Sequence, residues 1–493
     1  MAERYVLAID QGTTGSTALL FDSKTRLVTK AYREFAQHYP KPGWVEHDPE
    51  EIWTITLAVA REALTAANIS LTDIVALGIT NQRETTVVWD RRSGRPIAPA
   101  IVWQCRRTAD RCHELKDHDA EIRKKTGLML DPYFSATKIS WLLDQVPDAR
   151  RRAEANELAF GTIDTWLIWK LTNGSVHATD YTNASRTLLF DIHKKEWSKE
   201  LCEIFRVPLS MLPEVRTSAG LFGTTASEHL GASVPILGVA GDQQAALFGH
   251  YAVAPNQAKC TFGTGAFALA FCGDQPIQSK HGLLTTLTCD ADGKPAYGLE
   301  GSIFMAGAIV QWLRDGLKLI EKASETEAIA ASIADTGGIY LVPAFVGLGA
   351  PYWDPKARAA IVGMTRGTNR SHIVRAALEA IAFQSADLVD AMAEGMGKPL
   401  AELRVDGGAV ANHFLMQFLA DILGIPIIRP EMIERTGFGA ARLAAVAASL
   451  WNKEPEREER TTRFTPKMEI GRRHELKQGW RDAVNRVRTN LLV

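Results

Sequence analysis

The feature that most constrains this chain is a strand–turn–strand unit that occurs twice. The first copy runs from Val6 to Asp22. Tyr5–Ile9 is a continuous apolar run, as a strand covered on both faces requires, and Thr17–Phe21 is a second run of strand formers. Between them lies Asp10-Gln-Gly-Thr-Thr-Gly-Ser16. Gly12 and Gly15 permit a tight turn and let a ligand approach the backbone, and Thr13, Thr14 and Ser16 add hydroxyls. The second copy runs from Lys259 to Phe271 around Gly263-Thr264-Gly265. One hairpin opening each half predicts two similar domains facing one another, a long-period repeat rather than a short-period array. The length of 493 residues, too large for a single core, agrees.

The segments between the hairpins alternate strand and helix patterns, which predicts an α/β architecture. Asp48 as N-cap, Pro49 at the first helical position and Glu51 two residues on predict a helix reaching Ala67. Ile74–Ile79 reads as a strand delivering Arg83-Glu84, with strand character resuming over Thr85–Trp89. Phe160–Leu171 reads as an apolar helix, followed by a polar, Asn- and Ser-rich stretch over Thr179–Leu189. Pro235–Gly241 is a strand ending at Asp242-Gln243-Gln244, with a helix following. Met305, Ile309, Trp312, Leu313 and Leu317 share a helical face, and Leu403–Gly408 is a strand entering a glycine turn before a helix over Asn412–Leu423. From Trp451 the chain becomes highly charged, which reads as a solvated helix or linker. The expected division is 1–250, 251–450 and a charged extension 451–493.

Charge excludes some partners. Lys+Arg is 56 against Asp+Glu 57, so nothing favours nucleic acid or an anionic membrane surface. No membrane-inserting run and no signal peptide are read in the sequence. Six scattered cysteines and histidines without ligand spacing predict reduced thiols, no zinc site and a cytoplasmic setting.

The candidate chemistry follows from residue types. Asp10, at a strand end beside a glycine turn, suits a hydrated Mg²⁺ next to a phosphate. Walker A and a helix-opening GxGxxG are both absent, so a nucleotide site has to be of the hairpin type, with Thr13 and Thr14 on one side and Thr264 on the other. Asp406-Gly407-Gly408 and Asn412 suit the sugar–base end. Arg83-Glu84 reads either as a surface pair or as a clamp for the hydroxyls of a small polyol. Asp242 reads as a helix cap, as a base for an attacking hydroxyl, or as both. Trp103 and Phe267 are either core or the apolar wall of that pocket.

Over Met1 to about Trp451 the chain resembles the glycerol kinases of the FGGY carbohydrate kinases, within the two-domain actin/hexokinase-like (ribonuclease-H-like) ATPase fold. The resemblance is carried by Asp10-Gln-Gly-Thr-Thr14, Tyr39-Pro-Lys-Pro-Gly-Trp-Val-Glu-His-Asp48, Gly78-Ile-Thr-Asn-Gln-Arg-Glu-Thr-Thr86, Ile101-Val-Trp-Gln-Cys-Arg-Arg107 and Asp131-Pro-Tyr-Phe134. Downstream it is carried by Ala240–Gly249, Phe304–Ala308, Gly347–Asp354 and Arg404–Asn412. It implies an active site in the interdomain cleft, ATP and Mg²⁺ as cofactors, and glycerol phosphorylated to sn-glycerol 3-phosphate. Arg83, Glu84, Tyr133 and Asp242 would hold the glycerol hydroxyls with Gln243 beside them, and Asp242 would be the base. Trp103 and Phe267 would line the pocket, with Thr13 near the substrate. Thr13, Thr14, Gly15, Thr17, Thr264, Gly307, Gln311, Gly408 and Asn412 would meet the nucleotide, and Asp10 the metal. The resemblance further implies a homo-oligomer, a dimer or tetramer.

The chain departs from that pattern at Gly15, where a serine is usual, and at Thr17, where an arginine is usual, which implies one positive charge fewer at the phosphates. Gly231–Val234 lacks the pattern linked in some members to sugar-bisphosphate inhibition, and Glu434–Gly439 differs from the usual Thr-Ala-Leu-Gly. The rival readings are another polyol or pentulose kinase of the same family and an actin- or chaperone-like ATP-gated binding protein.

Overall fold

The computed structural model describes residues 3–279, 281–453 and 460–489. The first sheet contains β1 (Tyr5–Gln11), β2 (Gly15–Asp22), β3 (Leu27–Glu34), β4 (Ile74–Asn81), β5 (Ala219–Thr224) and β6 (Pro235–Gly241), in the spatial order β5-β6-β4-β1-β2-β3. β1, β2 and β3 form an antiparallel meander, while β4 pairs parallel to β1 and β6 parallel to β4. The second sheet contains β7 (Gln257–Phe262), β8 (Ala266–Gly273), β9 (Leu284–Cys289), β10 (Pro295–Ile303), β11 (Glu402–Asp406), β12 (Ile427–Pro430) and β13 (Thr461–Phe464), in the order β9-β10-β8-β7-β11-β12-β13. Here β7, β8 and β10 are antiparallel neighbours, and β11 and β12 add parallel to β7. The two sheets therefore repeat one connectivity, as the duplicated hairpin predicts.

The helices that matter to the site are α1 (Pro49–Ala67), α2 (Ile163–Leu171), α3 (Asp242–Gly249), α4 (Gly307–Asp315), α5 (Arg370–Met396), α6 (His413–Leu423), α7 (Arg435–Ala447) and α8 (Ile470–Asn485). Asp48 caps α1 by accepting from the Glu50 N–H at 2.8 Å. The Glu51 carboxylate accepts from Ala36 N instead of closing a capping box. α7 follows the second sheet in sequence but packs on β1, β4 and β6 of the first, with α3 against it. Small residues permit that approach: a Cβ at Gly78 would stand 2.1 Å from the Ala440 carbonyl oxygen, and one at Gly439 1.8 Å from that of Ala245. The crossing of α3 and α7 thus joins the halves backbone to backbone.

Three expectations change, and one polar stretch gains a location. Phe160–Leu171 is a strand end plus a helix: Leu158–Gly161 pairs with Val87–Asp90 before α2 begins. A short buried apolar run does not distinguish the two by periodicity. The polar stretch Thr179–Leu189 lies inside the protein, with Thr182, Asn183, Ser185 and Arg186 buried. On α4 only Ile309 and Leu313 are buried, and Met305 and Leu317 fall outside the helix. Of the charged run Glu454–Arg463, residues 454–459 lie outside the described residues. The described end of the run and the chain after it are attached along one face and exposed on the other: β13 joins the second sheet and buries only Phe464, and α8 buries Leu476, Trp480, Ala483 and Val484. All six cysteines are free. Among the described residues no helix is long and apolar enough to cross a membrane.

Candidate active site

The first hairpin turns where the Gly12 N–H donates to the Gly15 carbonyl at 2.9 Å, leaving Thr14 exposed at the tip. Thr13 faces inward and its hydroxyl accepts from Trp103 Nε1 at 2.9 Å. The second hairpin closes with Gly263 N–H to the Gly265 carbonyl at 2.9 Å, and Thr264 is exposed at its tip. The start of α4 is tied to that turn: Gly307 N–H donates to the Gly263 carbonyl at 2.9 Å, and a Cβ on Gly307 would come within 2.6 Å of that oxygen. Gln311 lies one turn further along α4, exposed. The third turn follows β11. Gly407 has φ 92° and its missing Cβ would meet the Phe262 carbonyl oxygen at 2.4 Å, so glycine is required there. Gly408 has open space around it. Asn412 caps α6 by accepting from Leu415 N–H at 2.9 Å, and its amide donates to Thr326 at 3.1 Å.

Between the hairpins lies a cluster of charge. A tight turn with Thr85 N–H donating to the Arg83 carbonyl at 2.7 Å holds Glu84 at φ 60°. A left-handed non-glycine residue costs about 1 kcal/mol or more, a strain that persists where the surroundings fix the conformation. Asp242 is the first residue of α3, with Gly241 as its N-cap, so the cap reading does not hold. Its carboxylate approaches Arg83 Nε at 3.2 Å and is 32% exposed, whereas the Arg83 and Glu84 side chains are 2% and 1% exposed. One ionisable group of the cluster therefore faces the cleft while its neighbours are sealed. Tyr133 packs edge-on against Trp103, ring centroids 5.5 Å apart, and the Arg186 guanidinium stands 5.6 Å from its ring. Burial pushes the Tyr133 hydroxyl pKa up, so it stays protonated and able to donate. Gln243 accepts from Lys259 Nζ, which also contacts Thr261 at 3.0 Å and the Phe267 carbonyl at 3.4 Å.

Burial lifts the Glu84 carboxyl above its usual range despite the opposing pull of Arg83 and Arg186. Asp10 is pushed up to about 7, first by burial, then by the facing carboxylates of Asp242 and Glu434, with Lys30 opposing. Two carboxylates that repel across a cleft are a setting that a divalent cation relieves. Among the described residues no cluster of three or more metal-ligating side chains exists. A one- or two-carboxylate site suits Mg²⁺, which keeps several waters and takes phosphate oxygens as ligands.

The departures at Gly15 and Thr17 have structural partners. A Cβ at Gly15 would meet the Tyr32 ring and the Arg33 carbonyl oxygen at 2.6 Å, so the glycine accommodates Tyr32. Thr17 lies opposite Asp10 on one side and Tyr32 on the other. Lys30, opposite Leu19, projects from the same sheet face and pairs with Glu434 just before α7. A cation thus reaches this face from β3.

Three buried residues of the cluster escape sequence reasoning. Arg186 donates to Glu84 at 2.6 Å and to Glu300 at 3.0 Å, and Glu300 accepts from both outer nitrogens of Arg83. Lys259 is fully buried beneath Gln243. The available signal is a lone charge inside an apolar strand, as in Ala296-Tyr-Gly-Leu-Glu300.

With this geometry in view, residues 5–249 match the N-terminal domain of the FGGY family of carbohydrate kinases and residues 258–448 its C-terminal domain. The chain is 56% identical over 494 residues to a glycerol kinase of Carboxydothermus hydrogenoformans, covering 99% of each. It is 54% identical over 495 residues to one from Shewanella frigidimarina, again covering 99% of each. Among solved structures it resembles that of Plasmodium falciparum glycerol kinase with ADP, with TM-score 0.93, 40% identity and 98% of each chain covered.

Proposed function

The chain belongs to the FGGY family of carbohydrate kinases, and from that premise we propose that it transfers the terminal phosphoryl group of ATP to a primary hydroxyl of glycerol, giving sn-glycerol 3-phosphate and ADP. The full-length identity to proteins named glycerol kinase supports this reading. The observation that carries it is Asp242: a cleft-facing carboxylate on the first turn of a helix, beside a sealed arginine and glutamate, between two threonine-tipped glycine turns.

Arg83 donates to a polyol hydroxyl and Glu84 accepts from one, while Tyr133 adds a donor. Trp103 and Phe267 cover the carbon chain. A ligand without hydroxyls leaves these buried polar groups unpaired and is rejected. Asp242 accepts the proton of the attacking hydroxyl as its oxygen bonds to phosphorus and the bridging bond to ADP breaks. Thr13, Thr14 and Thr264 hold the phosphate chain from the two hairpins, with Gly15 and Thr17 on the first strand beyond its turn. Gly307 and Gln311 line the nucleotide, and the open side of Gly408 with Asn412 receives its ribose and base. Asp10, across from Asp242, would hold Mg²⁺, which neutralises phosphate charge when bound. Catalysis under this reading is mostly positioning in a cleft that excludes water. The free, largely buried cysteines suit a cytoplasmic enzyme.

The test is Asp242→Asn. Loss of a general base costs roughly 10²–10⁴ in rate, so glycerol-dependent ADP release should nearly vanish while nucleotide binding persists. Turnover within threefold of wild type refutes the assignment. A panel of polyols and pentuloses, read by ADP release, tests the substrate.

A further inference from the structure

Four buried side chains at the floor of the cleft form a closed ring of alternating charge. Arg83 Nη1 and Nη2 donate to Glu300 at 2.5 and 2.9 Å. Glu300 Oε1 also accepts from Arg186 Nη2 at 3.0 Å, and Arg186 Nε donates to Glu84 Oε1 at 2.6 Å. The ring closes with Glu84 Oε1 3.7 Å from Arg83 Nε. None of the four side chains is more than 3% exposed. Two cations and two anions cancel, which is the condition under which buried charge is tolerated. Three corners precede α3 in sequence, and the fourth, Glu300, is on β10 of the second sheet.

A guanidinium carries five N–H donors in a rigid fork. On Arg83, Glu300 takes one from each outer nitrogen, Gln244 accepts from Nη1 at 3.2 Å, and Nε faces Asp242 at 3.2 Å. One Nη2 donor is left over. Asp242 approaches Arg83 at Nε, while Glu300 occupies the outer nitrogens. Remove the carboxylate at 300 and only Gln244, on Nη1, still holds an outer nitrogen; with Nη2 released the guanidinium can turn onto Asp242, and a two-toothed Arg83–Asp242 pair would then occupy the oxygens that must receive the substrate hydroxyl.

We propose that Glu300 is a positioning residue for the polyol: from the second sheet it holds Arg83 by its outer nitrogens, keeping one donor for a substrate hydroxyl and Asp242 open to the hydroxyl proton. This rests on the phosphotransfer reading above. Arg186 supports both carboxylates of the ring and so fixes Glu84 in the same frame. Glu300 stays ionised throughout: burial works to lift its carboxyl, but Arg186 and Arg83 hold it down to about 2.

The experiment is steady-state kinetics of Glu300→Gln with glycerol and ATP varied separately, beside wild type. Losing a charged hydrogen-bond partner predicts a rise in glycerol KM of about tenfold or more, with ATP KM within twofold. A residue that merely supports folding would lower active enzyme without separating the two KM values. Glu300→Asp keeps the charge but withdraws it by one methylene; it should show the same glycerol-selective rise, smaller, and it replaces Glu300→Gln if that variant does not fold. Glycerol KM within twofold of wild type, or both KM values rising together, overturns the proposal while leaving the phosphotransfer reading standing. A wild-type protein without glycerol-dependent ADP release overturns both.

Discussion

Gly439→Ala tests whether the crossing of α3 and α7 sets the position of the base. The added Cβ would stand 1.8 Å from the Ala245 carbonyl oxygen and 3.1 Å from Gly249 N. Ordinary contact begins at 3.4 Å, so the helices have to part by about 1.6 Å at this point. The opposing atoms are backbone and have no rotamer to turn away. Overpacking of this sort costs ~1–3 kcal/mol. The displacement acts on an eight-residue helix whose first residue is Asp242. A misplacement of about 1 Å is worth roughly a hundredfold in rate. The expected result is a kcat lower by about 10–100-fold, a small drop in melting temperature, and ATP KM little changed, because Thr264 and Gly408 ride on the second sheet. Gly471→Ala on α8 is the control: a Cβ there meets nothing within 4 Å, so kcat should hold and stability rise slightly. If Gly439→Ala keeps kcat within twofold, the crossing does not position Asp242 and the reasoning fails.

Other outcomes follow from local packing and charge. Trp480→Ala should lower unfolding stability by ~3–5 kcal/mol in urea titrations, since Trp480 is 1% exposed, stacks on Phe383 at 5.3 Å and donates to Asp387 at 2.7 Å; a loss below about 1 kcal/mol would mean that α8 is a loose attachment. Gly15→Ala should destabilise by ~1–3 kcal/mol through its clash with Tyr32 and Arg33, and Gly15→Ala with Tyr32→Ala should recover part of that loss; thermal unfolding of the pair decides it. His47, fully buried, is held down to about 4 by burial and by the nearby His38. The unfolded imidazole protonates near 6.5 while the folded one does not, so its contribution is present above 6.5 and is lost as pH falls toward 4. Stability measured against a His47→Gln variant should therefore narrow by up to about 1.4 kcal/mol per pH unit over that range. A constant difference would show that the ring is accessible to protons.

Much of the frame was legible because it is written locally. A glycine turn between two runs of strand formers specifies a hairpin wherever it occurs, and two of them specify the repeated sheet. Arg83, Glu84 and Asp242 stood out as charges at strand ends, where a backbone emerges from the core and side chains face a cleft. Their supports did not stand out. Glu300 meets Arg83 across 217 residues and Arg186 meets Glu84 across 102. A charged side chain read singly is assigned to solvent, because most are. Only the location of its partner shows that it is buried, and here one partner is on the other sheet. The same limit applies to the two polar segments. Thr179–Leu189 is polar because Asp180 accepts from the Asn183 backbone and amide, and the Ser185 hydroxyl accepts from the Leu287 N–H, inside the protein. On α8 the surface charges outnumber an apolar stripe of Leu476, Trp480, Ala483 and Val484, whose helical spacing was the available signal. Groups that face a ligand have local sequence settings, whereas groups that hold them are defined by pairing. A buried charge in an apolar strand is therefore better read as half of an unlocated pair than as an exception to burial.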